Sequence, residues 1–166
     1  MRAFLNRLFK RKAENPWGES HPVALMRAGW TPHSFPNSTV GVILPPGMTV
    51  SFDQQGVLYG FADGPDPVFT ATLQTNDEFK QHRELALEFI ESLAKKKGAR
   101  PIDFATYRYF IDPTEEREGE RVITFCVIGI PGSVVVVSLS RQHDSPPSPH
   151  VQSIRDAIPK IIGEMA

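Results

Sequence analysis

Three side chains able to ligate a metal fall within eight residues of one another: His143, Asp144 and His150, in RQHDSPPSPH. Imidazole beside carboxylate suits zinc. A small metal-dependent hydrolase using these three is therefore one candidate. Their spacing matches no standard zinc site, and the intervening prolines hold the chain extended. Cys126 is the only cysteine. It falls in the middle of an apolar stretch, where a thiol is buried and raised in pKa, not activated. No Gly-x-Ser-x-Gly nucleophile motif occurs. Gly129-Ile130-Pro131-Gly132-Ser133 reads as a hairpin turn and not a phosphate loop, because neither a helix start nor a lysine follows it. His82 sits one helical turn after Glu78, the spacing of a surface pair or a capping interaction. The lysines at 95–97 suit a helix terminus as well as an anion site. These residues predict no catalytic group and no cofactor, hence a chain that is not an enzyme.

The totals bound the remaining classes. The chain has 166 residues, 40% of them hydrophobic and 22% charged, which suits one domain with a tail. The net charge is -1 but unevenly spread. Residues 1–12 carry Arg2, Arg7, Lys10, Arg11 and Lys12 and no acid; the remainder holds 13 basic and 19 acidic side chains, a net of -6. Such a body does not suit nucleic acid and favours a protein partner with basic character. The partner-binding candidates are Glu115, Glu116, Glu118 and Glu120, gathered at one hairpin tip, with Trp17 and Trp30 as aromatic anchors. Each has a plainer alternative: a solvated turn for the glutamates, packing against the body for the tryptophans. A single cysteine rules out an internal disulfide and fits a reducing compartment. No run approaches the ~18 apolar residues of a membrane span. Residues 1–12 lack the apolar centre of a secretory signal. The expected location is the cytoplasm.

The elements that must position these residues follow from periodicity. Met1, Phe4, Leu5 and Leu8 make residues 1–12 a basic amphipathic segment able to touch a membrane surface weakly. Residues 13–38, with four prolines and both tryptophans, read as a packed extension holding a short helix at Val23–Ala28. Residues 39–166 read as one α/β domain. Val40–Leu44, Met48–Phe52, Val57–Phe61 and Val68–Gln74 are strands separated by turn residues, an antiparallel meander. Thr75 and Glu78 form a capping box for a helix that presents Phe79, Ala86, Phe89, Ile90 and Leu93 on one face and ends at Gly98. Ile102–Ile111 reads as one long strand. Arg121–Arg141 is the longest apolar stretch, two strands joined at Pro131-Gly132 by a loop expected to run a residue or two longer than that pair. Val122–Ile130 is apolar on both faces and so demands cover on both faces. Neither face of this hairpin is then expected to be free for a ligand, which leaves the sheet edges and the loops at 45–48, 62–67, 113–120 and 142–149. Ser148 caps a last helix with Pro149 at its first position, running to about Met165 with a kink or restart near Ile158. The class is α/β (α+β): an antiparallel sheet of six or seven strands with helices on both faces.

The order of four strands, helix, three strands and helix, with VILPPGMTVSFDQQGVLYGF near its start, resembles the Mog1/PsbP-like fold over roughly residues 39–165. The resemblance implies a binding role: members serve as photosystem subunits, small-GTPase regulators and bacterial proteins of other kinds. Some bacterial immunity proteins, which neutralise a secreted toxin, are similar small α/β builds. The chain also resembles the secretion chaperones of bacterial injection systems, small acidic α/β proteins. The function expected is non-catalytic protein–protein binding in a bacterial cytoplasm, in its sharper form an immunity protein. The alternatives are a secretion chaperone, a membrane-peripheral regulator, and the metal-dependent hydrolase above.

Overall fold

The structure, a computed structural model, describes residues 21–164. In chain order its elements are α1 (His21–Arg27), β1 (Thr31–Ser34), β2 (Val40–Leu44), β3 (Thr49–Phe52), β4 (Leu58–Phe61), β5 (Phe69–Gln74), α2 (Asp77–Gln81), α3 (Leu85–Lys96), β6 (Ile102–Phe104), β7 (Tyr107–Ile111), β8 (Glu116–Glu118), β9 (Arg121–Ile130), β10 (Ser133–Gln142), α4 (Pro149–Ala157) and β11 (Ile162–Glu164). The α+β class and the antiparallel sheet stand. The main sheet has eight strands, ordered β3-β4-β5-β10-β9-β7-β6, with β8 also on β9 beside β7.

β9 and β10 pair antiparallel along their full length, from Ser133 opposite Ile130 to Gln142 opposite Arg121. The loop is Pro131-Gly132 alone, shorter than expected. Gly132 takes φ +89°, which lets two residues close the turn. Alternation then sends the two apolar sets apart. On the back face, Cys126, Ile128, Ile130, Val135, Val137 and Leu139 join one core with Val40, Val42 and Leu44 of β2 and Val151 and Ile154 of α4. On the front face, Val127, Val134 and Phe110 pack with Ala86, Ile90 and Ala94 of α3. Each face thus carries a helix, as expected.

The second sheet was not anticipated. β2 leaves the meander and forms the centre of a three-stranded sheet, β1-β2-β11, laid over the back face. All five β2 residues are buried, consistent with a strand apolar on both sides. β1 pairs with β2 from Thr31 opposite Leu44 to Ser34 opposite Gly41, so a boundary at 38/39 falls between two hydrogen-bonded strands. Residues 21–38 belong to the domain and are no mere extension. β1 carries no apolar alternation and contains Pro32, a composition that only an edge strand tolerates.

Three other elements differ from the sequence reading. The helix expected from residue 75 to 97 breaks at 82–84 into α2 and α3. Its cap is Asn76, whose Oδ1 accepts from the Phe79 N–H at 2.8 Å; Thr75 instead donates its hydroxyl to the Gly132 carbonyl at 3.1 Å. Replacing Asn76 by Ala is expected to lower stability by about 1 kcal/mol, whereas Glu78→Gln stays within about 0.5 kcal/mol. Urea unfolding of the two variants checks the assignment. The strand expected at Ile102–Ile111 is a hairpin, β6 with β7, turned at Ala105-Thr106. Ala105 adopts φ +51°, and no Gly or Asn announces the turn. The last helix starts at the predicted cap, Ser148 Oγ accepting from the Val151 N–H, but stops at Ala157. Ile158 is extended because a residue before proline is disfavoured in the helical region. The chain then enters β11, opposite β2. Among the described residues no helix is long and apolar enough to cross a membrane.

Candidate functional site

α3 does not cover the whole front face. Its buried residues Ala86, Ile90 and Ala94 meet Phe110, Val127 and Val134, at the end of the hairpin near its turn. Contact is closest at Gly129, where a Cβ would lie 2.5 Å from Ile90 Cγ1 and 3.1 Å from the Ala86 carbonyl oxygen. Toward the other end of the same strands, no described helix or strand covers the front face. The expectation that both faces of the hairpin are closed is therefore corrected for the described residues: the helix spans part of the strands' length, and no other described element covers the remainder.

Register fixes what the open area presents, since directly paired residues share a face. One row crosses five strands: Phe125, Ser138, Thr70, Tyr59 and Ser51. Val127, Val136 and Thr72 form the next row toward α3. On the other side Ile123 pairs with Glu116, and Arg121 pairs with Glu118. Phe125, Ile123, Thr70, Thr72, Tyr59 and Ser138 are all half-buried, a mix of rings and hydroxyls at the level of the solvent.

Local contacts hold this surface rigid. The Thr70 and Ser138 hydroxyls share a hydrogen bond. Tyr59 donates to Asp53 Oδ2 at 3.1 Å. Asp53 also accepts from the Val57 and Gln55 N–H groups. These bonds hold its carboxyl below the usual range, the Val57 bond foremost, and in turn the Asp53 bond raises the Tyr59 phenol. Asp112 closes the border next to α3: its N–H donates to the Phe125 carbonyl, and Lys97 Nζ lies 3.9 Å from its carboxylate. Arg121 reaches the Pro67 carbonyl and the Ser140 hydroxyl.

The four loops named from the sequence come to one end of the sheet. Arg121 ties 62–67 to β9, and the His143 N–H donates to the Glu120 carbonyl at 2.7 Å. Gly47 lies against His150, at the start of α4. Glu115 is held by Arg141 at 3.3 Å. Glu116 and Glu118 stand exposed on β8, and Glu120 is exposed beside them. The acidic tip is thus a short strand edging the open face. Trp30 is half-buried against the larger core, not a free anchor. Trp17 and residues 1–12 lie outside the described residues.

The metal candidates are not assembled. Among the described residues no three His, Cys, Asp or Glu side chains gather at ligand distance, so His143, Asp144 and His150 stay apart. His143 and Asp144 are exposed in the loop, and His150 is turned to Gly47. Cys126 is fully buried on the back face, and burial pushes its thiol up to about 12. Ellman's reagent is expected to leave the native protein unlabelled at mildly alkaline pH and to label it once unfolded. Rapid labelling of the folded chain would contradict the packing described.

Reading strand by strand missed Tyr59, Thr70, Phe125 and Ser138. One signal was present: the alternation of Thr70 and Thr72 against Phe69, Ala71 and Leu73 marks a polar face on a strand central to the sheet. No protein-family model matches the chain, and a sequence search of curated proteins returns no match. Among solved structures, the chain is similar to a crystal structure from Bacteroides thetaiotaomicron at 10% identity and a TM-score of 0.49. The match covers 76% of this chain and 45% of that one, so the chain spans less than half the length of the protein it matches.

Proposed function

We propose that the chain is a non-catalytic protein-binding module that receives a partner with basic character on the open part of its front face. The observation that carries this is the row Phe125–Ser138–Thr70–Tyr59–Ser51, solvent-facing and edged by Glu116 and Glu118. Rings interleaved with hydroxyls and bordered by charge suit the mixed apolar and polar make-up of a protein interface. Residues 21–164 carry 13 Lys and Arg against 17 Asp and Glu, so the field around the margin favours a positive surface. The resemblance to Mog1/PsbP-like proteins, a fold used for binding, points the same way. The sharper form of the reading is an immunity protein that neutralises a toxin in the bacterial cytoplasm.

The test is a pull-down from the native host at low salt with the full chain. A stoichiometric protein partner retained by the wild type and lost with Tyr59→Ala, Glu116→Lys and Glu118→Lys combined is the expected result. No such partner, or one indifferent to the triple change, overturns the reading. Suppression of that partner's toxicity on co-expression would support the immunity form.

A further inference from the structure

A cleft of about 530 Å³ lies at the end of the sheet opposite the acidic loops. The turn between β1 and β2 forms one wall, and the Pro131-Gly132 turn forms another. Its apolar lining comes from Phe35, Val40 and Leu73, all buried or half-buried. A volume of this size suits a small organic ligand.

Two features of the lining select the chemistry. The first is Ser133, which lines the cleft and is only 9% exposed. It lies on the back face with Val135, which pairs with Leu73. Its hydroxyl makes no hydrogen bond to any described residue, while Thr75 nearby is already committed to the Gly132 carbonyl. A buried hydroxyl left unpaired is uncommon and calls for a partner. The second is the exposed rim. Lys80 has no ion-pair partner among the described residues, and Arg83 donates to the Pro131 carbonyl at 3.2 Å and to Glu164 at 3.0 Å. With Glu164 offsetting one of the two cations, the charged lining sums to a single positive charge. That balance suits a monoanion better than a phosphate dianion.

We infer that this cleft binds a small organic monocarboxylate with an apolar body and a carbonyl or hydroxyl oxygen. The carboxylate meets Lys80 and the Arg83 guanidinium. The body lies on Phe35, Val40 and Leu73, and the Ser133 hydroxyl donates to the second oxygen. None of Phe125, Ser138, Thr70, Tyr59 and Ser51 lines the cleft, which touches the front-face site only through Gln55 beside Asp53, so the inference does not rest on the partner proposed there.

Levulinate, a short keto acid, and pentanoate, its counterpart without the keto oxygen, are the probes. Hexylamine and inorganic phosphate are the controls. Levulinate titrated into the full chain is expected to shift the backbone amides of Thr75, Gly132 and Ser133 saturably. Pentanoate binds more weakly, and the controls leave these amides unmoved. Lys80→Gln, an exposed change that the fold tolerates, weakens both acids about tenfold, the size of one charged hydrogen bond. Ser133→Ala abolishes the advantage of levulinate over pentanoate. Absence of saturable shifts, phosphate binding as well as levulinate, or indifference to Lys80→Gln overturns the inference. Retention of the keto preference in Ser133→Ala overturns the role of the hydroxyl.

Discussion

Gly129→Ala is expected to destabilise the fold by about 3 kcal/mol, the upper part of the range for overpacked cores. The added methyl would sit 2.5 Å from Ile90 Cγ1 and 3.1 Å from the backbone oxygen of Ala86. The Ile90 side chain is itself fully buried, so it has no open space into which to turn. The helix carbonyl is held within α3, so relief requires the helix to lift. Lifting it uncovers Val127, Val134 and Phe110 together. Urea unfolding measures the loss as a fall in the midpoint at unchanged slope. A double-mutant cycle with Ile90→Ala separates the clash from general damage. The pair should be less destabilised than the sum of its singles, because trimming Ile90 removes the closest of the three contacts, the third being the Arg108 carbonyl oxygen at 3.3 Å. A full-strength additive loss would mean that α3 does not rest on Gly129.

Phe110→Ala is expected to cost about 3–5 kcal/mol, and Phe89→Ala about 1 kcal/mol or less. Both phenylalanines belong to the α3 layer, yet Phe110 is 1% exposed and Phe89 is 41% exposed. Phe110 pairs with Val127 under the helix, and removing its ring leaves a cavity that the sheet cannot close. Phe89 instead leans on Phe79 with ring centroids 6.1 Å apart, on the helix flank. The ratio of the two losses, read from thermal or urea unfolding, is the measurement. Equal losses would place Phe89 in the core, as periodicity alone suggests, and would reject the packing described here.

That contrast shows what was legible in the chain and why. A stripe at 3.6-residue spacing names a face only to within a neighbouring position. Phe79, Ala86, Phe89, Ile90 and Leu93 all fit one broad stripe, but the helix buries only Ala86, Ile90 and Ala94, with Phe79 and Leu93 partly buried beside them and Phe89 left out, a narrow contact set by how closely Gly129 lets the helix approach. The central hairpin, the Ser148 cap, the half-buried β5 and the burial of Cys126 were readable because each depends on neighbours in sequence. The second sheet was not, since β1 and β11 are short and draw their identity from β2. The open front face was missed for a related reason. Apolar residues on both sides of β9 state that cover is needed, but not how far along the strand a twelve-residue helix reaches. Of the candidate site residues, Glu116 and Glu118 could be found from charge alone. The row they border could not, because it is assembled by register across five strands.

The small sheet has a bearing on the order in which the chain can fold. β2 is flanked by β1, a few residues upstream, and by β11, where Val42 meets Ile162 near the other end of the chain. The main sheet closes mostly through hairpins whose strands are neighbours in sequence, a fast local process. The β2–β11 pairing closes a loop that contains nearly everything else, and its chain entropy must be met before its contacts form. During synthesis, Val40–Leu44 emerges well before Ile162–Glu164, so one edge of this fully buried strand stays open until the segments between them have been made. An arrested or shortened chain would display that edge, an apolar template for pairing with other chains.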